Sequence, residues 1–149
     1  PAWASGIGEA LEDEPRLPAL HGVLLNPGLP SPTGAVYRAY DAAPAGDADR
    51  PSEPVDWSVA SVIDWLATQR NDLEAPALAV TPGIEEALAA MRAAPGCRLT
   101  RMSGSGATVF GLFDGCAAAI EAAFALDRPG WWARPVVLGA PDIAPRAVI

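Results

Sequence analysis

Apolar residues recur at helical spacing in three separate stretches of the chain. In the first stretch, Thr33 is suited to cap a helix, and Val36, Tyr37 and Tyr40 then fall on one face. The other two stripes consist of Val59, Val62, Ile63 and Leu66, and of Ile84, Ala87, Leu88 and Met91. Residues three or four positions apart line one side of a helix. The pattern predicts three amphipathic helices, with a turn at Asn71-Asp72 between the second and third.

Runs of strand-forming residues bracket these helices. Val23-Leu24-Leu25 is closed by the stop signal Asn26-Pro27-Gly28, and a last apolar run covers residues 131–139. Between them, residues 97–102 and 108–113 flank a Ser-Gly-Ser-Gly turn, which favours an antiparallel hairpin. An alanine-rich helix follows this hairpin.

The resulting order is strand, three helices, hairpin, helix and strand. One antiparallel sheet of about four strands, with helices on one face, buries all the amphipathic stripes. We therefore predict an α+β, ferredoxin-like fold formed by residues 1–149 as a single domain. Residues 1–18 are predicted to be a short strand or connector, then a solvated loop that carries the acidic run Glu12-Asp13-Glu14.

Glycine alternates with small residues in the loop Ser103-Gly104-Ser105-Gly106-Ala107-Thr108, directly before a strand-forming run. Glycine costs about 0.5–1 kcal/mol relative to alanine inside a regular element. Two glycines here therefore indicate positive φ angles or the close approach of another group. A turn of this kind directs successive N–H groups inward and forms a small anion cradle. The alternative is a plain Gly-Ser hairpin turn, because the G-K-[ST] ending of a P-loop is missing and no helix follows.

The charge balance excludes several classes of ligand site. The 149 residues include 18 acidic and 10 basic side chains, which gives a formal net charge of −8. A nucleic-acid-binding surface needs clustered positive charge, whereas the basic side chains here are scattered. All of them are arginines, so the chain has no catalytic or phosphate-binding lysine. An anionic ligand must be held by backbone N–H groups or by local arginines.

Cysteine spacing and hydropathy exclude two further classes of protein. Cys97 and Cys116 have no nearby cysteine partner in the sequence, which argues against a metal site or a disulfide framework and favours a reducing cytoplasm. No apolar run approaches the roughly 20 residues that a membrane span needs. The chain starts at Pro1 rather than at methionine, so we expect it to be a piece of a longer protein.

Four short segments occur in a fixed order along the chain. They are Gly6-Ile7-Gly8-Glu9, Asn26-Pro27-Gly28 with Thr33 and Tyr37, Asn71-Asp72-Leu73-Glu74, and Ser103 to Thr108. Together they resemble the motifs of the 4-diphosphocytidyl-2-C-methyl-D-erythritol kinase family, a branch of the GHMP kinase superfamily. One such segment is unspecific, whereas four in the right order are specific to this family.

The resemblance implies the C-terminal domain of an ATP-dependent kinase, a phosphotransferase with an alcohol group as acceptor. Members of the family phosphorylate 4-diphosphocytidyl-2-C-methyl-D-erythritol in non-mevalonate isoprenoid biosynthesis. Their N-terminal domain binds ATP with Mg²⁺ and supplies the phosphate loop, the lysine and the catalytic aspartate. No such elements are visible in residues 1–149, so we assign no catalytic residue to this chain and expect it to be inactive alone. The implied partners are that N-terminal domain and the small-molecule substrate.

The resemblance also implies which residues approach the substrate. Thr33 and Tyr37, with the neighbouring Pro32, match positions beside the cytidine or diphosphate group. The residues Ser103, Gly104, Ser105, Gly106, Ala107 and Thr108 match the segment that faces the substrate and braces the phosphate loop of the other domain. Two alternatives stay open: a stand-alone ferredoxin-like module that binds a small molecule without catalysis, and a structural dimerisation domain.

Overall fold

Two antiparallel sheets are present in residues 2–5, 9–46 and 51–139, the part of the chain that this computed structural model describes. The smaller sheet pairs β1 (Ala2–Ser5) with β2 (Ala10–Asp13). The larger sheet consists of β3 (Leu20–Asn26), β4 (Cys97–Met102), β5 (Val109–Phe113) and β6 (Trp132–Leu138), in the order β4-β5-β3-β6. The predicted α+β fold with a four-stranded antiparallel sheet is confirmed.

Five helices occur in the described part of the chain. They are α1 (Thr33–Ala42), α2 (Val59–Ala67), α3 (Glu74–Val80), α4 (Ile84–Arg92) and α5 (Cys116–Leu126). The sequence pattern predicted α1, α2, α4 and α5 but missed α3, because it was read as a turn followed by Pro76. Pro76 is the third residue of α3, where the absent N–H removes no intrahelical hydrogen bond.

Both faces of the larger sheet are buried. Val23 and Leu25 of β3 and Val109 of β5 belong to one core with residues of α1, α3, α4 and α5. Leu20 and Leu112 belong to a second core with α2. Successive strand residues face opposite sides of a sheet, so the two cores lie on opposite faces. Helix α2 therefore lies across the sheet from the other four helices, a difference from the predicted one-face arrangement that the apolar second face explains.

The first residues of the chain differ from the predicted solvated loop. They form the β1–β2 hairpin, and Glu14 at its end is buried, with only 7% of its surface exposed. Glu14 accepts hydrogen bonds from Trp3 Nε1 (3.1 Å) and from two nitrogens of Arg16 (both 2.7 Å). This pairing allows a carboxylate to be buried. Gly6-Ile7-Gly8, the start of the first family segment, lie outside the described residues.

The end of β3 and the turn between β4 and β5 share one end of the larger sheet. Leu25 lies opposite Val109 in the antiparallel pairing of β3 with β5. Asn26 and Thr108 are consequently neighbours, although they are 82 positions apart in sequence. Sheet topology thus brings the Asn-Pro-Gly segment against residues 103–108, which we call the glycine loop.

Candidate functional site

The loop between β4 and β5 is a tight turn built on two glycines. Gly104 has a φ of +56° and Gly106 a φ of +83°, values that residues with a Cβ rarely adopt. A Cβ on Gly106 would lie 2.9 Å from Met102 Sδ and 3.0 Å from Ile84 Cδ1, whereas a Cβ on Gly104 would meet no heavy atom within 4 Å. Gly106 therefore meets both conditions predicted for a glycine, positive φ and close approach. Gly104 meets only the first.

The segment that follows β3 contacts this loop directly. Ser31 Oγ donates a hydrogen bond to the carbonyl oxygen of Ser105 (2.6 Å), and the hydroxyl oxygens of Thr33 and Ser105 lie 3.0 Å apart. Asn26 Nδ2 donates to Thr108 Oγ1 over 2.9 Å. The structure thus places Thr33 against the glycine loop. Sequence reasoning missed Ser31, which no motif distinguishes.

The other residues predicted from this segment lie beside the same contact. Pro32 occupies the cap position of α1, and Thr33 is the first helical residue instead of the predicted cap. The Thr33 hydroxyl contacts Ser105 instead. Tyr37 follows Thr33 by one helical turn and so lies on the same side of α1. Half of Tyr37 is exposed (50%), which leaves its ring open to a planar ligand.

The Asn-Asp-Leu-Glu segment holds the loop from its other side. Asn71 Nδ2 donates to the carbonyl oxygens of Met102 (3.0 Å) and Gly104 (2.9 Å). Asn71 Oδ1 accepts from the Leu73 N–H over 3.1 Å. Glu74 Oε2 accepts from the Met102 N–H over 2.9 Å. Sequence reasoning predicted local turn chemistry for this segment and missed its contacts with the loop, because they span about 30 residues.

Arg101, which precedes the loop by two residues, is engaged elsewhere. Its guanidinium donates to the carbonyl oxygens of Leu66 (2.9 Å) and Gln69 (2.6 Å), at the C-terminal end of α2. Burial lowers the pKa of Arg101, and the nearby charge of Glu74 opposes that effect. A cation at this end of a helix is favourable. Arg101 therefore stabilises α2 and is not available to an anion at the loop.

Several backbone N–H groups of the loop have no acceptor in the described part of the chain, and those of Gly104 and Ser105 are among them. The Ser103 N–H donates to the Thr108 carbonyl oxygen (2.9 Å), and the Gly106 N–H donates to the Ser103 carbonyl oxygen (3.0 Å). Among the described residues, no acceptor takes a hydrogen bond from the N–H of Gly104 or Ser105. Open N–H groups in a turn with left-handed residues are suited to bind an anion. The loop therefore offers main-chain donors, flanked by the hydroxyl groups of Thr33 and Ser105.

The described residues form neither a metal site nor a membrane span. In the ranges 2–5, 9–46 and 51–139, no three His, Cys, Asp or Glu side chains are grouped so that they could hold a metal ion. No helix within those ranges is long and apolar enough to cross a membrane.

A separate apolar cavity lies on the opposite face of the sheet. Its volume is about 360 Å³, and its lining includes Trp3, Trp57, Trp65, Phe110 and Leu112. The rings of Trp3 and Trp65 meet edge to face, with centroids 5.6 Å apart, a favourable aromatic geometry. None of the predicted site residues lines this tryptophan cavity. It is therefore distinct from the surface around the glycine loop.

Comparison with known proteins identifies a family and several relatives. Residues 58–130 match the profile of the family described as GHMP kinases C terminal. The chain is 49% identical to 4-diphosphocytidyl-2-C-methyl-D-erythritol kinase of Caulobacter sp. (strain K31), in an alignment that covers 95% of this chain and 50% of that protein. It is 53% identical to the protein of the same name from Methylobacterium radiotolerans, with 89% and 46% covered. The chain thus spans about half the length of the curated relatives it matches.

A solved structure gives the same match in three dimensions. The fold resembles a crystal structure of 4-(cytidine 5'-diphospho)-2C-methyl-D-erythritol kinase with a TM-score of 0.76 and 36% sequence identity. The superposition covers 94% of this chain and 50% of that protein. The likeness therefore extends over nearly all of the chain.

Proposed function

The chain belongs to the GHMP kinase family as a C-terminal domain, and from this premise we propose that it forms the substrate-binding half of an ATP-dependent kinase. The proposed substrate is 4-diphosphocytidyl-2-C-methyl-D-erythritol, the compound in the names of its relatives. In the full-length protein, a hydroxyl group of this compound would receive the γ-phosphoryl group of ATP. The reaction belongs to non-mevalonate isoprenoid biosynthesis.

The observation that carries this proposal is the contact between two family segments. The hydroxyl oxygens of Thr33 and Ser105 lie 3.0 Å apart, although 72 positions separate the two residues in sequence. The open N–H groups of Gly104 and Ser105 belong to the same loop. A plain hairpin turn gives no reason for this convergence. A site for a nucleoside diphosphate does, because it needs hydroxyl and N–H donors close together.

Each predicted site residue then has a role toward the ligand. Tyr37 stacks on the cytosine ring, a contact worth about 1–3 kcal/mol in other aromatic–base pairs, and Pro32 lines the surface beside it. One of the two hydroxyl groups of Thr33 and Ser105 donates to the other, and the second donates its hydrogen bond to the diphosphate. The N–H groups of Gly104 and Ser105 add main-chain donors. Gly106, Ala107 and Thr108 keep the loop in shape.

The residues of this chain do not fit ATP with Mg²⁺. The sequence has no lysine, and the described residues contain no group of acidic side chains placed to hold a metal ion. Phosphoryl transfer needs a phosphate cradle, a cation and a group that orients the attacking hydroxyl. We therefore propose that the missing portion of the kinase binds ATP and performs the transfer, and that residues 1–149 position the acceptor.

The first test is the gene and its product. The reading frame upstream of Pro1 should encode a glycine-rich kinase loop. The full-length protein should phosphorylate 4-diphosphocytidyl-2-C-methyl-D-erythritol, and Tyr37→Ala should raise KM for this substrate at least tenfold with KM for ATP unchanged. Tyr37→Phe keeps the ring and is the matched control, with KM near the wild-type value.

The second test is binding by the 149-residue chain. Calorimetric titration should show saturable binding of cytidine 5'-diphosphate and none of ATP. Binding of other metabolites with no cytidine selectivity, together with a reading frame that lacks any kinase loop, would instead favour the stand-alone binding module. A stable dimer without ligand affinity would favour the structural alternative.

A further inference from the structure

Asn71 makes three hydrogen bonds that use its whole amide group. Both N–H groups of Nδ2 are directed at carbonyl oxygens, those of Met102 and Gly104, at 3.0 and 2.9 Å. The Oδ1 atom accepts from the Leu73 N–H at 3.1 Å. An asparagine side chain offers two donors and one acceptor oxygen in one plane. The three partners therefore fix the orientation of the amide and tie the glycine loop to the start of α3.

These contacts determine the direction of a ligand-facing group. The only cis peptide among the described residues is Gly106–Ala107, so the peptide between Gly104 and Ser105 is trans. In a trans peptide the C=O and N–H bonds point in opposite directions. Because the Gly104 carbonyl is directed at Asn71, the Ser105 N–H is directed away from Asn71. No described residue accepts a hydrogen bond from that N–H.

We propose that Asn71 is a positioning residue, which holds the Gly104 carbonyl so that the Ser105 N–H is presented to a phosphate group of the bound ligand. The ligand class is a nucleoside diphosphate, so the inference rests on the function proposed above. It gives Asn71 a role, whereas the proposed function assigns none to the Asn-Asp-Leu-Glu segment. Asn71 acts through the loop and touches no reacting atom.

The neighbouring residue provides a matched control. Asp72 forms an ion pair with Arg70 Nε at 2.8 Å, and no hydrogen bond joins it to the loop in the described structure. Asn71→Asp keeps the shape of the side chain but sets a carboxylate oxygen against two carbonyl oxygens. Asp72→Asn makes the converse exchange one position away. The two variants separate an effect on the loop from a general effect of charge or turn chemistry.

The experiment measures the affinity of the 149-residue chain for cytidine 5'-diphosphate and for cytidine, with amide NMR following Ser105. For Asn71→Asp, the diphosphate should bind about tenfold more weakly, with cytidine affinity unchanged and the shift of the Ser105 amide on titration lost. Asp72→Asn should match the wild type in all three. If Asn71→Asp does not fold, Asn71→Ala removes the same two donors without adding charge.

Three results would overturn the inference. One is equal diphosphate affinity for the Asn71 and Asp72 variants. Another is an equal loss of cytidine and diphosphate affinity in Asn71→Asp, which indicates general loosening. If the wild type binds no cytidine compound, the proposed substrate is wrong, and titration with inorganic pyrophosphate then tests Asn71 alone. Failure of the Ser105 amide to respond to pyrophosphate would overturn the role of Asn71 as well.

Discussion

The glycine loop and the tryptophan cavity lie on different parts of the sheet and are built in opposite ways. The loop is held by small neutral groups, such as Ser31 and Asn71, and among the described residues it leaves several backbone N–H groups open, including that of Ser105. The tryptophan cavity is bounded by large rings and by Glu14, whose carboxylate is paired with Arg16. We propose that the ligand binds where the main chain is exposed, whereas the paired side chains of the other region stabilise the fold.

The Glu14 cluster shows how fully the second region is paired. Besides Glu14, Arg16 binds both carboxylate oxygens of Glu53 at 2.9 Å, and its guanidinium lies 4.3 Å from the centre of the Trp57 ring. Hydrogen bonds from Arg16 outweigh the effect of burial and lower the pKa of Glu14 to about 2. The polar groups of this cluster are hydrogen-bonded to one another, so few of them are available to a ligand. It links the hairpin, the loop before α2 and the tryptophan cavity.

Replacing Gly106 by valine should have the largest effect on stability. The new side chain must accept a φ of +83° and displace Met102 and Ile84. Left-handed strain and overpacking together cost about 2–5 kcal/mol of unfolding free energy. Urea denaturation of the chain measures this loss. The comparison variant Gly104→Val also has a positive φ, but no heavy atom lies within 4 Å of its Cβ. Equal denaturation midpoints for the two variants would mean that crowding at Gly106 adds no cost in stability.

Trp65→Ala should have the second-largest effect on stability, and it changes the tryptophan cavity rather than the glycine loop. The change removes the edge-to-face contact with Trp3 and the hydrogen bond from Trp65 Nε1 to the Ser52 carbonyl oxygen (2.6 Å). We expect a loss of about 2–3 kcal/mol, because the ring is only partly buried. Cytidine diphosphate affinity should not change. A tenfold drop in that affinity would show that the two regions are coupled.

Acidification should destabilise the chain through Glu14, which lines the tryptophan cavity. The pKa of Glu14 is about 2 in the folded state and 4.5 as its ordinary value. The unfolded chain therefore binds the proton more readily, so the stabilisation by Glu14 is complete above about pH 4.5 and declines as the pH falls toward 2. Unfolding free energies measured between pH 5 and 2.5 should fall less steeply in Glu14→Gln. If the unfolding free energies of the two proteins fell equally steeply with pH, Glu14 would not be the cause of the acid destabilisation.

Gly104→Ala should have the smallest effect on stability. Its Cβ would occupy open space, so only the φ of +56° opposes the change, at about 1 kcal/mol. Diphosphate affinity should nevertheless fall, because a methyl group then stands beside the open N–H groups. Thermal melting and calorimetric titration of the same sample separate the two effects. Unchanged affinity would mean that the ligand does not approach this part of the loop.

The sequence by itself determined the local elements and the family. Hydrophobic periodicity predicted helices α1, α2 and α4, because spacing along the chain reports which side of a helix is buried. Runs of strand-forming residues predicted the strands of the larger sheet, and an alanine-rich run predicted α5. Four short segments indicated the family to which the chain belongs, and the comparisons confirm it. The glycines of the loop predicted positive φ, a property of single residues that sequence reports directly.

Only the tertiary structure decided which groups meet. It buried Glu14 in a run predicted to be solvated, formed α3 directly after the predicted turn at Asn71-Asp72, and placed Asn71 on the carbonyl oxygens of the loop. It also showed that a Cβ would be crowded at Gly106 but would lie in open space at Gly104. The physical reason is that periodicity records whether a residue is buried, whereas its partner depends on how elements tens of residues apart pack together.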